Sequence, residues 1–234
     1  MPIPAPISVI IPTLNEQGRI GRCLEFVTGL FPGSEILVVD GGSGDRTVAV
    51  ASSFSPAGVR TILATRGRGT QMNAGAAVTG NDILLFVHAD VLLPGDAPRW
   101  IERTLADPAV VAGAFRTLTI AGALPSILGP FLRLADLRSR FTRLPYGDQA
   151  LFVRRSVFRR VGGFAEIPLM EDLDLARRLR REGTLRTVPV CVKVSPRRFL
   201  ARPVSSAITM SLFPLLFRMG VSPWLLARLY GNPR

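Results

Sequence analysis

Ile7-Ser8-Val9-Ile10-Ile11, followed at once by Pro12-Thr13-Leu14-Asn15-Glu16, sets the reading of the whole chain. A short, nearly continuous apolar run that stops on a polar cluster is the pattern of a strand buried on both faces. The next segment, Gly18 to Leu30, has helical spacing of its apolar residues. The alternation then repeats. Glu35–Asp40 reads as a strand and Asp45–Ser53 as a helix; Val59–Leu63 as a strand and Thr70–Val78 as a helix; Asp82–Val87 as a strand and Ala97–Leu105 as a helix. Strands alternating with helices give an α/β fold, a mostly parallel twisted sheet with helices on both faces. Such sheets bind ligands beyond the carboxyl ends of their strands.

The second half is less regular. Ala112–Leu118 is expected to be a strand, and Gly147-Asp148-Gln149-Ala150-Leu151-Phe152-Val153 a turn entering another. Ser156–Val161 reads as a short helix ending at Gly162-Gly163. Glu171–Arg181 reads as a helix with its acids in the first turn and arginines in the last, the order that complements the helix dipole. A strand pair is expected near Leu185–Val194. The simplest division is a domain over 1–200, with halves at about 1–115 and 116–200, and an apolar helical extension over 201–234.

The polar residues cluster where the strands should end. Pro12, Thr13, Asn15 and Glu16 would face the ligand crevice, although Asn15 could equally cap the following helix. Asp40-Gly41-Gly42-Ser43-Gly44-Asp45 follows the second strand: its glycines permit close backbone approach, and Asp40 could accept hydrogen bonds from a base or ribose. It is not a dinucleotide fingerprint, because the third glycine of the G-x-G-x-x-G pattern is missing and the motif follows the wrong strand. Arg66-Gly67-Arg68-Gly69-Thr70-Gln71-Met72-Asn73 enters a helix, so free N–H groups and two guanidinium groups would favour a diphosphate. No Gly-Lys-Ser/Thr is present, which excludes a P-loop.

His88-Ala89-Asp90 ends an apolar strand, where a carboxylate can hold Mg²⁺ or Mn²⁺ bridging two phosphates. His88 is the single histidine of the chain and could point into the same site. Glu171-Asp172, in Leu169-Met170-Glu171-Asp172-Leu173-Asp174, supplies a candidate base for the acceptor's proton. Asp172 is the first choice; Glu171 and Asp174 remain its rivals.

Composition narrows the classes. With 47% hydrophobic residues the chain is not disordered. Its net charge of +12 is carried almost wholly by arginine and favours an anionic partner. The arginines are dispersed, and only two Tyr and two Trp could stack on bases, so nucleic acid is not the expected partner. Cys23 and Cys191 fit no metal or redox spacing, and no basic stretch followed by an apolar signal core opens the chain. A cytoplasmic protein is expected. No apolar stretch reaches the roughly 20 residues of a spanning helix. Leu118–Leu134 and Ala207–Tyr230 mix apolar residues with arginine. They would lie on the inner face of an anionic membrane, pack on the domain, or form a homodimer contact.

Taken together, Ile10-Ile11-Pro12-Thr13-Leu14-Asn15-Glu16, Val38-Val39-Asp40-Gly41-Gly42-Ser43-Gly44-Asp45, the strand ending in His88-Ala89-Asp90, and Glu171-Asp172-Leu173-Asp174 resemble the family 2 glycosyltransferases, which have the GT-A fold. The resemblance covers about residues 7–200. More narrowly, Tyr146-Gly147-Asp148-Gln149-Ala150 and Ser195-Pro196-Arg197-Arg198-Phe199 look like a compact bacterial subgroup often labelled arsenosugar-biosynthesis glycosyltransferases. The resemblance implies inverting transfer of one sugar from a UDP- or GDP-linked donor to a small-molecule or lipid acceptor, with Mn²⁺ or Mg²⁺. By motif match, Glu16 and Asp40 would contact the nucleoside, Asp90 would bind the metal and Asp172 would be the base. Pro12, Thr13, Gly41, Arg66, Arg68, Gln71, Asn73, His88 and Ala89 would line the nucleotide site, with Asp148, Gln149 and Glu171 near the acceptor. Many relatives have Asp where this chain has His88, and an imidazole suits Mn²⁺ better than Mg²⁺. A nucleotidyltransferase on a similar scaffold is the nearer rival, and a non-enzymatic basic protein that binds membranes or nucleic acid the more distant one.

Overall fold

A computed structural model of the chain describes residues 6–119, 147–195 and 212–230. Eight strands form one sheet: β1 (Ile7–Thr13), β2 (Glu35–Asp40), β3 (Val59–Leu63), β4 (Ile83–Phe86), β5 (Val91–Leu92), β6 (Val110–Thr119), β7 (Phe152–Arg154) and β8 (Thr184–Val194). Their order is β3-β2-β1-β4-β7-β6-β8-β5. The pairs β1/β2, β1/β4, β2/β3 and β6/β8 are parallel; β4/β7, β6/β7 and β5/β8 are antiparallel. Only β5 and β7 therefore oppose the common direction.

Helices α1 (Ile20–Leu30), α2 (Thr47–Ser52) and α4 (Ala97–Leu105) cover one face. Helices α3 (Arg68–Val78), α5 (Arg155–Arg160) and α6 (Glu171–Glu182) cover the other. Strand periodicity feeds both layers: Ile7, Val9 and Ile11 of β1 join the first core, and Ile10 joins the second. Helical periodicity does the same for α1, which buries Ile20, Cys23, Leu24 and Val27 and ends before Pro32-Gly33. Gly75 lets α3 lie close on the sheet, since a Cβ there would sit 2.5 Å from Ile10 Cγ2 and 3.0 Å from Val39 Cγ2. The α/β architecture expected from the alternation, a mostly parallel sheet with helices on both faces, is the one observed.

One local expectation changes, and one short strand had not been expected. The strand pair near Leu185–Val194 is a single strand, β8, whose register against β6 jumps from Phe115↔Val188 to Arg116↔Cys191. Pro189, which has no N–H to donate, lies in the jump, so the ladder bulges instead of turning back. The two-residue β5 is too short to read from its sequence.

Residues 212–218 (α7) and Pro223–Tyr230 (α8) are helical, within the stretch expected as an extension. They pack on α6: Phe213, Leu226 and Ala227 are buried with Leu169, Met170, Leu173 and Ala176. Leu173 is fully buried, which contributes about 1.5–3 kcal/mol. No described helix is long and apolar enough to cross a membrane. Most of Leu118–Leu134, and Arg197-Arg198-Phe199, lie outside the described residues.

Candidate active site

The loops after β1 and β2 leave the sheet side by side, with Thr13 in register with Asp40. They are joined by reciprocal hydrogen bonds. The Asn15 N–H donates to Ser43 Oγ (2.9 Å) and the Gly44 N–H to Asn15 Oδ1 (2.9 Å). The Glu16 N–H donates to Thr47 Oγ1 (2.7 Å), the Gln17 N–H to Asp45 Oδ2 (3.2 Å), and the Arg46 N–H to Gln17 Oε1 (3.0 Å). Asn15 thus holds the neighbouring loop rather than capping α1, in a left-handed conformation (φ 55) that asparagine tolerates.

Asp40 is fully buried. Its Oδ2 accepts from the N–H groups of Gly42 (2.9 Å) and Ser43 (2.7 Å), and its Oδ1 from the hydroxyls of Ser43 (2.5 Å) and Thr13 (3.1 Å). A carboxylate has about four acceptor positions, so these bonds fill it. Asp40 stands at the expected strand end, with its oxygens given to its own loop. Gln71 is similar: its amide donates to the carbonyls of Thr13 (2.8 Å) and Val39 (2.7 Å), tying α3 to both strands. Gly41 is required beside it, because a Cβ would lie 2.9 Å from Gln71 Oε1. Pro12 and Glu16 are buried at this junction, and Glu16 pairs with Arg19 at 3.3 Å.

A second cluster forms where the N-termini of α3 and α6 meet. Gly69 makes the approach possible: a Cβ there would lie 2.7 Å from the Ala165 carbonyl. Asn73 reads the backbone of Phe164 in both directions, donating to its carbonyl (2.9 Å) and accepting from its N–H (2.8 Å). Arg68 Nε bonds Glu171 Oε1 at 2.8 Å; the Glu171 side chain is 3% exposed and that of Arg68 27%. The Glu171 carboxylate raises the Arg68 guanidinium above its ordinary range against the opposing effect of burial, and Asp172, Tyr230 and Asp148 add to it. Glu171 is thus in direct contact with the guanidinium, and Asp172, Tyr230 of α8 and Asp148 contribute to its field. Arg66 lies on the exposed approach to this cluster.

The acids of α6 are held differently. Glu171 is paired with Arg68. Asp174 takes two donors from Arg178, at 2.6 and 2.8 Å, while Arg178 also bonds the Val161 carbonyl. Asp172 is half-exposed, and its Oδ1 accepts from the Leu173 N–H at 2.7 Å. The residue before this trio, Met170, caps α6 in a left-handed conformation (φ 70), and Ala150, after the turn Gly147–Gln149, has φ 48. With Asn15, these are the non-glycine residues of positive φ among those described. All three sit in the loops that carry the candidate residues. Strain of about 1–2 kcal/mol at each of Ala150 and Met170 is held by surrounding packing.

His88 and Asp90 follow β4 at the same edge of the sheet. The Val87 N–H donates to Ile10 O (3.0 Å) and the Val91 N–H to His88 O (3.0 Å), which closes a turn. The Ser195 N–H reaches Asp90 O at 3.3 Å, joining the end of β8 to it. Both side chains are half-buried and Ala89 is buried between them. Burial, with the Asp90 charge behind it, pushes the neighbouring Cys23 thiol up to about 12. Among the described residues no three His, Cys, Asp or Glu side chains converge as a closed metal cage. Asp90, a half-buried carboxylate two residues beyond His88, is of a kind that could hold a divalent ion whose other ligands are phosphate and water.

The structure thus gathers the sequence candidates into joined loops (Pro12, Thr13, Glu16, Asp40, Gly41), an Arg68 cluster (Asp148, Glu171, Asp172) and the His88–Asp90 turn. It adds Ser43, Tyr230 and the strained Met170. Ser43 and Met170 lie inside motifs already quoted, though neither was singled out; Tyr230 had no local signal.

The chain matches the family model for glycosyl transferase family 2 over residues 8–162. It is 32% identical over 171 residues to glycosyltransferase AglE of Haloferax volcanii, covering 68% of this chain and 55% of that protein. It is 38% identical over 165 residues to a PGL/p-HBAD biosynthesis glycosyltransferase of Mycobacterium bovis, covering 67% of this chain and 62% of that one. It therefore spans less than two thirds of these relatives. In fold it is similar to the mannosyltransferase PcManGT from Pyrobaculum calidifontis in complex with GDP-Man and Mn²⁺, with TM-score 0.71, 20% identity, and coverage of 100% of this chain and 67% of that one. It is also similar to TarS from S. aureus in complex with UDP-GlcNAc, with TM-score 0.66, 16% identity, and coverage of 97% and 76%.

Proposed function

The chain belongs to glycosyl transferase family 2, and from that membership we propose that it moves one sugar from a nucleoside-diphosphate sugar to an acceptor hydroxyl with inversion at the anomeric carbon. The observation that carries this reading is the arrangement of acids on the first turn of α6. Glu171 bonds Arg68 and Asp174 bonds Arg178, and Asp172, on the same turn, is half-exposed and adds to the negative field on Arg68. Asp172 is the group that takes the proton of the attacking hydroxyl. Glu171 fixes the guanidinium, and the pair sets the orientation of the helix that carries the base.

The donor lies along the edge of the sheet. The joined loops after β1 and β2 receive the nucleoside, with Glu16 and the exposed rim of Gly42 to Gly44 as contacts and Asp40 as the residue that positions them. The N-terminus of α3, with Arg68 and Arg66, faces the diphosphate, where its dipole and free N–H groups favour negative charge. Asp90, with His88 beside it, would hold Mn²⁺ or Mg²⁺, and such an ion supplies charge neutralisation for the departing diphosphate. The imidazole favours Mn²⁺ of the two. Asp148 and Gln149, held by the strained turn at Ala150, lie on the acceptor side.

The test is a thermal melt of the chain with UDP or GDP, with and without Mn²⁺, together with a screen of nucleotide-sugars for hydrolysis. Binding to the native state raises the melting temperature, by an amount set by the ratio of ligand concentration to Kd. No shift with any nucleoside diphosphate would sink the reading. Release of pyrophosphate from a nucleoside triphosphate would replace it with nucleotidyl transfer.

A further inference from the structure

We propose that the outer face of α7 and α8 is a docking surface for an anionic lipid bilayer. The large apolar residues exposed among those described are unevenly placed. Phe26, Leu63, Val78 and Leu118 are scattered, whereas Leu212, Leu215, Trp224, Leu225 and Leu229 fall on this pair of helices and Met219 on the turn between them. Met219, Trp224 and Leu229 are 73%, 62% and 66% exposed. The inner face is already occupied, because Phe213, Leu226 and Ala227 are buried against Leu169, Met170 and Leu173. A helix pair apolar on both faces, with only one covered, needs a second partner.

Charge and length identify the partner. Arg218 and Arg228 are exposed on the same pair, and no Asp or Glu follows Glu182 in the sequence. The patch is thus apolar and purely basic within a chain of net charge +12, which is complementary to anionic headgroups. A second copy is the poorer fit. A two-fold contact would press this acid-free surface against itself and bring its arginines together. The eight residues of α8 extend about 12 Å, far less than the roughly 30 Å of a bilayer core, so the pair lies on the surface and does not cross it. Trp224 is suited to the headgroup level, where an amphipathic ring has both its environments. Because the covered face holds the Met170 cap of α6, a docked bilayer would stand next to the Arg68 cluster.

The experiment is co-sedimentation of the full chain with vesicles of phosphatidylcholine alone and of phosphatidylcholine with phosphatidylglycerol. The chain is expected to sediment with the anionic vesicles, to release as salt is raised, and to ignore the neutral ones. R218Q/R228Q should weaken binding by about tenfold or more, and M219S/W224S/L229S should weaken it at least as much. These side chains are exposed, so both variants should keep the wild-type melting temperature and its response to nucleoside diphosphates, which separates this proposal from the reading of the active site. Failure to sediment with anionic vesicles, or equal binding by wild type and both variants, overturns it. A wild-type dimer that the serine variant dissociates, without any vesicle binding, would assign the patch to a second copy instead.

Discussion

The two ends of the ligand-facing edge are held by different chemistry. At the β1–β2 end, the loops are joined by short hydrogen bonds between backbone and small polar side chains, and the fully buried Asp40 has its acceptor positions filled locally. At the α3–α6 end, position depends on an ion pair with little solvent, on a left-handed methionine, and on helices packed from outside. The first arrangement is held by hydrogen bonds within its own loops and by Gln71 of α3. The second stores strain and charge in the region proposed to carry the proton transfer, where a fixed geometry is worth most.

The largest effect expected from this contrast is on turnover. Asp172→Asn should lower kcat by about 10²–10⁴, the range attributed to a general base, and leave the nucleotide-induced rise in melting temperature intact. Normal turnover by this variant would move the base elsewhere. Stability should respond next. Arg68→Met leaves Glu171 buried without its cation. Removing one partner of a fully buried pair costs about 3–5 kcal/mol, and the partial exposure of Arg68 reduces this to roughly 2–3 kcal/mol. Denaturant unfolding should show that loss, with much of it recovered in R68M/E171Q. If the single variant is as stable as wild type, the junction is not held by charge.

A smaller effect isolates the geometry of that junction from its charge. Gly69→Ala would push a methyl group towards the Ala165 carbonyl, which as backbone has little freedom to retreat. Overpacking of this kind costs about 1–3 kcal/mol. The variant should unfold at lower denaturant, and because the shift separates α3 from α6, transfer should fall more than nucleotide binding. Equal loss of both would mean that the two ends are less independent than their chemistry implies.

The same contrast explains what could be read in the sequence. Strands β1, β2 and β4 were legible because burial on both faces leaves continuous apolar runs, stopped by Pro12, by Asp40-Gly41 and by His88. The residues of the joined loops were legible as a group, since polar residues at strand ends have few other reasons to be there. Their individual roles were not. Asp40 and Gln71 look like ligand contacts until their donors and acceptors are counted in three dimensions. Asn73 and Phe164 are 91 residues apart, and no local pattern connects them. The Arg68–Glu171 pair and the approach of Tyr230 likewise depend on tertiary placement. Glu171-Asp172-Leu173-Asp174 showed three acids on a first turn, but the pairing of Glu171 with Arg68 and of Asp174 with Arg178 was not legible. The strand pair expected near Leu185–Val194 is one strand, which continues past Pro189 through a bulge in its register against β6.

The least effect belongs to the self-contained end, and there it depends on pH. Burial alone would raise the Asp45 carboxyl. The bonds from the Thr47 hydroxyl and N–H and from the Gln17 N–H outweigh it and hold the group below its ordinary range. A depressed folded-state value means that the charged form supports the native loops. That support is complete above the ordinary aspartate range and is lost as pH falls through the lower, folded-state value. Asp45→Asn should therefore melt slightly below wild type at neutral pH, and the difference should close on acidification. Because Asp45 is on the surface, the neutral-pH difference should be smaller than that of either junction variant and should shrink with added salt. A difference that persists unchanged at low pH would mean that the loops depend on the shape of the side chain rather than on its charge, and the two ends of the site would then differ in strength but not in kind.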